Sequence, residues 1–199
     1  MIKTVTLDKT SVKHWSLEEF YGLYRAGFAT KQSELIEGEI IEPMPTFSFH
    51  AYLVRFLGSW LRALFGELYV SEEKPLRIEE VNGRESEPLP DLAVHVVPYT
   101  ALKFRHLLPE ETRLIVEISY STRTYDLERK APLYARAGIG EYWVVDVQGR
   151  QVVVHRDPQD GNYSSVTSYT ETGEVSTFLH PEARLSVSEL LPPIGMIIE

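Results

Sequence analysis

A single charged residue lies inside one of the most apolar segments of the chain, and it constrains the fold more than any other feature. Residues 113–119 read Arg-Leu-Ile-Val-Glu-Ile-Ser. In a strand, Leu114, Val116 and Ile118 face one side of the sheet, and Glu117 faces the other. A carboxylate in a central strand is costly to desolvate unless another group pairs with it. The sequence therefore predicts a buried strand whose one charge has a partner.

The remaining elements are read from hydrophobic periodicity and from turn residues. In the N-terminal part we predict a helix from the Ser16–Glu19 capping box to Gly27 and a hairpin around Glu37-Gly38 that ends at Pro43 and Pro45. In the core we predict a helix within 47–65, a loosely alternating strand within 68–78, a polar turn region at 79–88, strands at 91–97 and 113–119, a helix from about Tyr125 to Ala137 and a strand at 141–147. The C-terminal part is predicted to form a hairpin within 151–169 and a short turn or helix within 185–193.

This order indicates an α/β (α+β) fold, with a mixed central sheet, flanking helices and extra β-hairpins. A length of 199 residues fits one domain. We divide it into an N-terminal helix and hairpin (16–45), a core (47–147) and a C-terminal hairpin and tail (151–199).

Composition excludes several classes of protein. No run of about eighteen apolar residues exists, so no membrane span is predicted. The first fifteen residues lack an apolar stretch long enough for a signal peptide. Cysteine is absent, which removes disulfides, zinc–thiolate sites and cysteine nucleophiles. These features favour a cytoplasmic location.

The net charge of −9 argues against a protein that coats nucleic acid with a broad basic surface. The charge is unevenly distributed, however. Residues 99–136 contain seven basic and five acidic side chains, a net of +2, so the rest of the chain carries −11. This basic window could mark a site for a phosphate-bearing ligand. It could equally be a solvated surface of mixed charge.

Three polar residues stand out against apolar surroundings. Asp91 directly follows Pro90 at the start of an apolar strand, Glu117 lies within the next apolar strand, and Lys130 sits beside an apolar helix stripe. Two carboxylates on neighbouring strands repel each other, and a divalent cation between them removes that repulsion. Hard oxygen ligands suit Mg²⁺ or Mn²⁺, and the main-chain carbonyl of Ile118 is a candidate third ligand.

Such a site would be suited to phosphoryl chemistry. A metal polarises a phosphoryl oxygen and activates a water, while a lysine stabilises developing negative charge or orients that water. The alternative is structural: Asp91 or Glu117 could simply form an ion pair with Arg123 or Lys130. Three such features in one chain favour the functional interpretation.

Other residues are weaker candidates. One of Glu34, Glu37 and Glu39 could complete the metal site, although hairpin glutamates are more often solvated. His50 lies on an apolar helix stripe, and we expect a core histidine there. His95 faces the same side as Asp91, but core packing is the simpler expectation. Tyr142 and Trp143 are predicted to be core aromatics.

The pattern Pro90-Asp91, Glu117-Ile118-Ser119 and Lys130 resembles the PD-(D/E)XK, or restriction-endonuclease-like, nuclease superfamily. It is most similar to a bacterial family of uncharacterised proteins taken to be restriction endonucleases. The similar stretches run from about residue 16 to 157 and include SLEEF, ELIEGEII, EPLPDLAV, LIVEISYSTRTYDLERKAPLYARAGIGEYWVVD and VVVHRDP. The resemblance implies metal ligands at Asp91 and Glu117 and a catalytic lysine at Lys130.

One departure concerns the lysine. The superfamily pattern places it two residues after the glutamate, where this chain has Ser119. The closer family is similar in having the lysine on the following helix. Pro132 is compatible with a helix that begins close to Glu128, because proline is tolerated in a first turn. Lys130 would then reach back toward the strand end.

Three functions are compatible with this sequence. The first is a Mg²⁺-dependent endonuclease that hydrolyses DNA. The second is a catalytically silent binding or scaffold domain that keeps the nuclease fold. A weaker third is a nucleotide- or RNA-directed hydrolase. Nucleases of this kind often act as dimers, and the exposed C-terminal hairpin is one candidate surface for a homodimer.

Overall fold

The computed structural model describes residues 12–42, 48–81 and 83–196. In chain order its helices and strands are α1 (Leu17–Arg25), β1 (Glu34–Ile36), β2 (Glu39–Ile41), α2 (Ser48–Phe65), β3 (Val70–Glu72), β4 (Ile78–Val81), β5 (Arg84–Ser86), β6 (Leu92–His95), β7 (Thr112–Ser119), α3 (Arg123–Tyr125), α4 (Ala131–Arg136), β8 (Glu141–Asp146), β9 (Gln151–Gln159), β10 (Asn162–Thr170), β11 (Glu174–Val175) and β12 (Leu185–Ser186). A π-helical turn, Asp126–Lys130, joins α3 to α4 without a break.

Six strands form the central sheet, in the order β10-β9-β8-β7-β6-β3. The β7–β8 pair is parallel, and the other pairs are antiparallel. The helical segment between β7 and β8 is the crossover that a parallel pair requires. The predicted mixed sheet with flanking helices and extra hairpins is therefore confirmed.

Each face of the sheet is covered by a separate apolar cluster. Leu114, Val116 and Ile118 of β7 pack with α2 and with the C-terminal segment that contains Leu190. Ile115 lies on the opposite face, with α4 and the connector between β6 and β7. The alternation predicted for β7 is thus observed, and Glu117 lies on the α4 face.

A third, smaller cluster holds the N-terminal helix. Ser16 accepts a hydrogen bond from the Glu19 amide, and the Glu19 carboxylate accepts one from the Ser16 amide, as the capping box predicts. Trp15 and Phe20 pack together in this cluster with Leu35 of β1. The predicted hairpin around Glu37-Gly38 is present as β1 and β2, whereas Pro43 and Pro45 lie outside the described residues.

The segment between α2 and β6 differs from its prediction. The single strand expected within 68–78 is wrong, because only Val70–Glu72 pairs with β6. Glu73 has a positive φ of 44° and Pro75 has no amide hydrogen, so the strand cannot continue. The polar turn region expected at 79–88 contains the hairpin β4–β5.

The helix that carries Lys130 begins at Arg123, close to its predicted start near Tyr125. The later start near Glu128, which would put Pro132 in a first turn, is wrong. The π-helical turn lies directly before Pro132, and the Ala131 amide bonds to the Asp126 carbonyl across it. Within the described ranges, no helix is both long and apolar enough to cross a membrane.

Candidate active site

A cavity of about 660 Å³ opens where β7 ends and β6 begins. Its walls come from the N-terminal hairpin, the start of α2, the two strands and the helical segment after β7. Carboxylates outnumber basic groups by six to two among its lining residues, which include Glu34, Glu42, Glu73, Asp91, Glu117 and Asp126 as acids and His50 and Lys130 as bases.

Glu117 is buried at the centre of this wall, with 4% of its surface exposed. Its Oε1 accepts hydrogen bonds from Lys130 Nζ and from Tyr134 Oη, each at 2.9 Å. Burial raises the pKa of the Glu117 carboxyl well above its usual range. The Lys130 charge opposes this shift, and Asp91 is among the carboxylates that add to it.

Asp91 lies just before β6 on the same cavity wall. In the β6–β7 register Leu92 pairs with Val116, so Asp91 stands opposite Glu117. Asp91 Oδ2 accepts a hydrogen bond from the Ile118 amide at 2.6 Å. The two carboxylates thus face one cavity, which is the arrangement that a shared cation requires.

Lys130 is also buried, although it carries a charge. Its Nζ lies 2.9 Å from Glu117 Oε1 and 3.0 Å from Glu34 Oε1. Burial alone would lower the pKa of Lys130, but Glu117, Glu34 and Asp126 together raise it well above the usual value. Lys130 therefore keeps its proton and is a fixed positive charge in an acidic cavity.

The structure separates the three glutamates of the N-terminal hairpin. Glu34 lines the cavity, contacts Lys130 and accepts the Leu89 amide at 2.6 Å. Glu37 instead pairs with Arg136 at 2.6 Å. Glu39 lies 3.3 Å from Arg129. Of the three, only Glu34 is placed at the candidate site.

His50 differs from the core histidine that its helix stripe predicted. Its Nε2 lies 3.0 Å from Asp91 Oδ1, and it lines the cavity. Burial alone would lower the pKa of His50, but Asp91, Glu73 and Asp126 together raise it above its usual value. His95, by contrast, is buried away from the cavity, and its Nδ1 contacts the Val97 carbonyl at 2.6 Å. Tyr142 and Trp143 are fully buried, as predicted.

Two site residues were not identified from the sequence. Asp126 is buried and accepts hydrogen bonds from Ser119 Oγ and Thr122 Oγ1, each at 2.7 Å. Tyr134 contacts Glu117 directly. The spacing of Asp126, Lys130 and Tyr134, four residues apart, is the signal that could have placed all three on one helix face.

The site has the charge and donor chemistry for a cation but is not a ready-made ligand cage. Across the part of the chain that the structure describes, no three His, Asp or Glu side chains form a group that could hold a metal ion. Lys130 Nζ contacts both Glu34 and Glu117. The excess of hard carboxylate oxygens over basic groups nevertheless fits a small divalent cation.

Comparisons with known proteins identify the fold and the family of the chain. The chain matches the family model Uma2, described as "Putative restriction endonuclease", over residues 17–192. Among similar solved structures is "a putative nuclease belonging to DUF820" from Anabaena variabilis, with a TM-score of 0.63 and 19% identity, over 88% of this chain and 96% of that chain. No match is found among the curated proteins.

These matches confirm the restriction-endonuclease-like fold, and the family description supports a nuclease function. The family model covers most of the chain, including every residue of the candidate site. The chain therefore belongs to the Uma2 family.

Proposed function

We propose that the chain is a metal-dependent endonuclease that hydrolyses DNA phosphodiester bonds, with Mg²⁺ or Mn²⁺ as its cation. The observation that carries this proposal is the arrangement of Asp91 and Glu117. They face one cavity from neighbouring strands, and Lys130 donates to Glu117. DNA is polyanionic and would be repelled by a cavity this acidic, so a cation is needed to bring a phosphate there.

Asp91 and Glu117 are the residues that would hold the ion. Glu34, whose carboxylate also contacts Lys130, is a further candidate ligand. When bound, such an ion supplies Lewis-acid polarisation of the phosphate and an activated water. Lys130 supplies a second positive charge, preorganised by its contacts with Glu117 and Glu34. A fixed cation in a buried site stabilises charge that develops in the transition state.

The side chains of His50 and Tyr134 orient the two carboxylates that would bind the ion. His50 and the Ile118 amide each occupy one oxygen of Asp91, which fixes the plane of its carboxylate. Tyr134 donates a hydrogen bond to Glu117 Oε1 and so restrains the Glu117 carboxylate. Groups that orient the ligands of a metal contribute to its affinity even without touching it.

Cleavage of a supercoiled plasmid tests the proposal. We expect nicking in Mg²⁺ or Mn²⁺, none in EDTA, and none by Glu117→Gln. Glu141→Gln is the matched control, because Glu141 is also a buried strand glutamate bonded to a cation, Arg156. Both variants should lose comparable stability, yet only the Glu117 variant should lose cleavage. Equal cleavage by both variants, or none by the wild type, would contradict the proposal and favour a silent nuclease-fold binding domain.

Glu34 and Glu37 give a second matched pair. Both belong to the N-terminal hairpin, and each forms an ion pair with a basic side chain. Only Glu34 contacts Lys130, whereas Glu37 contacts Arg136. Glu34→Gln keeps an acceptor for the Leu89 amide and removes one negative charge. We expect it to weaken Mn²⁺ binding in calorimetry and to slow nicking, whereas Glu37→Gln should leave both near wild type.

We also propose that the protein acts as a homodimer through the hairpin β9–β10. Strand β10 lies at one end of the central sheet and offers an open edge to a second copy. Two copies would present two cavities to the two strands of a duplex.

A further inference from the structure

Most of the basic residues in the window 99–136 form ion pairs with acidic residues of the protein itself. Five of its seven basic residues contact carboxylates, namely Arg105 with Glu111, Arg123 with Asp146, Arg129 with Glu39, Lys130 with Glu117 and Arg136 with Glu37. Among the described residues, Lys103 and Arg113 form no ion pair. Lys103 is the one that lies beside exposed aromatic side chains.

Four residues form what we call the aromatic patch: Lys74, Tyr99, Lys103 and Phe104. Phe104 is 91% exposed, and Lys103 Nζ lies 5.2 Å from its ring centroid. Tyr99 is 46% exposed, and Lys74 Nζ lies 5.7 Å from its ring. The patch therefore presents two lysine–aromatic pairs, three of whose residues lie on the connector between β6 and β7, while Lys74 comes from the segment between β3 and β4.

The aromatic patch is attached to the wall of the candidate active site. Lys74 directly follows Glu73, which lines the cavity, and Lys74 Nζ donates to the Leu102 carbonyl at 3.0 Å. The connector is also bonded to the segment after Lys74, since the Arg77 amide donates to the Leu107 carbonyl at 2.9 Å. These bonds hold the patch and the cavity wall as one unit.

The charge of the patch is available to an external anion. Neither Lys74 nor Lys103 has an acidic partner among the described residues, whereas nearby Arg105 is held by both oxygens of Glu111 at 2.7 and 2.6 Å. Lysines without an acidic partner are notable in a chain with a net charge of −9. They complement an anionic ligand, and the exposed rings complement a ligand with flat apolar faces.

Single-stranded nucleic acid combines both properties. Its phosphates pair with lysines, and its unpaired bases stack on aromatic rings, whereas a duplex keeps its base faces hidden. We propose that the aromatic patch binds unpaired nucleotides and guides them to the adjacent cavity. This inference rests on the proposed nuclease function and narrows its substrate to DNA that contains a single-stranded segment.

Binding in EDTA separates this inference from cleavage. Fluorescence anisotropy with a labelled oligothymidylate and with a labelled duplex should show tighter binding of the single strand by the wild type. Phe104→Ala should weaken single-strand binding about five- to a hundredfold, the usual range for loss of one stacked base. Lys103→Ala should reduce the slope of log affinity against log salt by about 0.7.

Two controls match these variants. Phe178→Ala removes another exposed phenylalanine, 67% exposed, outside the patch. Lys31→Ala removes another exposed lysine. Both should bind the oligothymidylate as the wild type does. Phe104 is almost fully exposed, so its loss should not change the melting temperature, and thermal melts verify this.

The outcomes are distinct. If Phe104→Ala and Lys103→Ala bind the single strand as tightly as the wild type, the inference is overturned, even if the protein nicks plasmids. If they lose binding while the wild type fails to cleave, the inference stands and the nuclease proposal fails. If Phe104→Ala changes only the sedimentation mass, the patch is a protein contact and the inference is overturned.

Discussion

Asp91 is held by two groups that come from distant parts of the chain. The Ile118 amide binds one carboxylate oxygen and His50 binds the other. The Asp91 carboxylate can otherwise rotate about its Cβ–Cγ bond. It loses this rotation when both of its oxygens accept hydrogen bonds. Its remaining lone pairs then point in fixed directions, which favours binding of a cation over reorientation of the side chain.

This arrangement predicts a role for His50 in metal affinity. His50→Ala should weaken Mn²⁺ binding about ten- to a hundredfold, as measured by calorimetry, because Asp91 loses one of its two supports. His50→Gln should recover part of the affinity, since the amide can still donate to Asp91. Tyr52→Ala, an exposed position on the same helix, is the control. Unchanged Mn²⁺ affinity in His50→Ala would show that Asp91 needs no such support.

A second histidine predicts how stability depends on pH. His155 is buried between the rings of Tyr142 and Tyr163, and burial lowers the pKa of its imidazole below 6.5. Below about pH 6.5 the unfolded chain binds a proton that the folded protein does not. The free energy of unfolding should therefore fall as the pH decreases from 7, until the folded pKa is passed.

Chemical denaturation at a series of pH values measures this effect. His155→Phe should remove up to about 1.4 kcal/mol per pH unit from the slope of unfolding free energy against pH. The absolute stability of the variant does not enter the comparison. Phe178→Ala, which removes an exposed side chain without a titratable group, is the control and should retain the wild-type slope. An unchanged slope in His155→Phe would mean that His155 titrates alike in both states.

The site residues differ in how far the sequence predicted them. Glu117 and Asp91 could be placed on one wall because strand alternation and an isolated charge are local signals. The choice of Glu34 over Glu37 depends on where a separate hairpin packs against Lys130. His50 lies on an apolar stripe, and only the position of α2 over the start of β6 brings it to Asp91. Contacts of this kind depend on how separate elements pack together, and the periodicity of the sequence does not predict them.

At the scale of elements, the π-helical turn decides where Lys130 points. A π turn holds one residue more than an α-helical turn and rotates everything that precedes it relative to everything that follows. Asp126 lies at its start and bonds to Ser119, while Lys130 lies at its end and bonds to Glu117. We expect a regular helix through this segment to shift Lys130 relative to Asp126 and so to weaken one of these two contacts.

Deleting Glu128 tests the turn. Glu128 is exposed, so its side chain contributes little to the core. The deletion restores a regular helix and should remove either the Asp126 or the Lys130 contacts. We expect the free energy of unfolding to fall by about 2–3 kcal/mol and nicking to slow about a hundredfold or more. Glu128→Ala is the matched control and should preserve both. Wild-type cleavage by the deletion variant would show that the turn is dispensable.

Elements were predicted best where a single periodicity extends over many residues. Helix α2, strands β7 and β8 and the hairpin β9–β10 all follow their apolar patterns. The region after α2 was not predicted correctly, because Glu73 and Pro75 break the strand and the charged segment that follows pairs as β4–β5. The π-helical turn could not have been predicted from periodicity, since it interrupts the very repeat that identifies a helix.

At the scale of the whole molecule, the two edges of the central sheet are unequal. Strand β3 ends one side with three residues, whereas β10 ends the other with nine. The nine residues of β10, Asn162 to Thr170, include no charged side chain and no proline. Proteins usually protect a long edge strand with lysine, proline or a bulge, because its open hydrogen-bonding groups attract another strand. The open edge of β10 therefore favours pairing with a second copy.

Val166 is the central residue of β10, and its side chain is 55% exposed. In an antiparallel pair of two β10 strands related by a two-fold axis at their centres, each Val166 faces its counterpart. Like charges placed directly opposite each other destabilise such a pair, and opposite charges stabilise it. We therefore expect the wild type to behave as a dimer of the 22.8 kDa chain in multi-angle light scattering, and Val166→Lys and Val166→Glu each to be monomers.

Mixing the two variants provides the decisive measurement. Lysine opposite glutamate should restore a dimer that contains one copy of each, and this dimer should dissociate as salt is added. Phe178→Lys, which introduces the same charge at an exposed position away from β10, should remain a dimer. A wild type that is monomeric at every concentration would refute the dimer proposal. A dimer that survives in Val166→Lys would place the interface on another surface, and the mixed sample would then show no change.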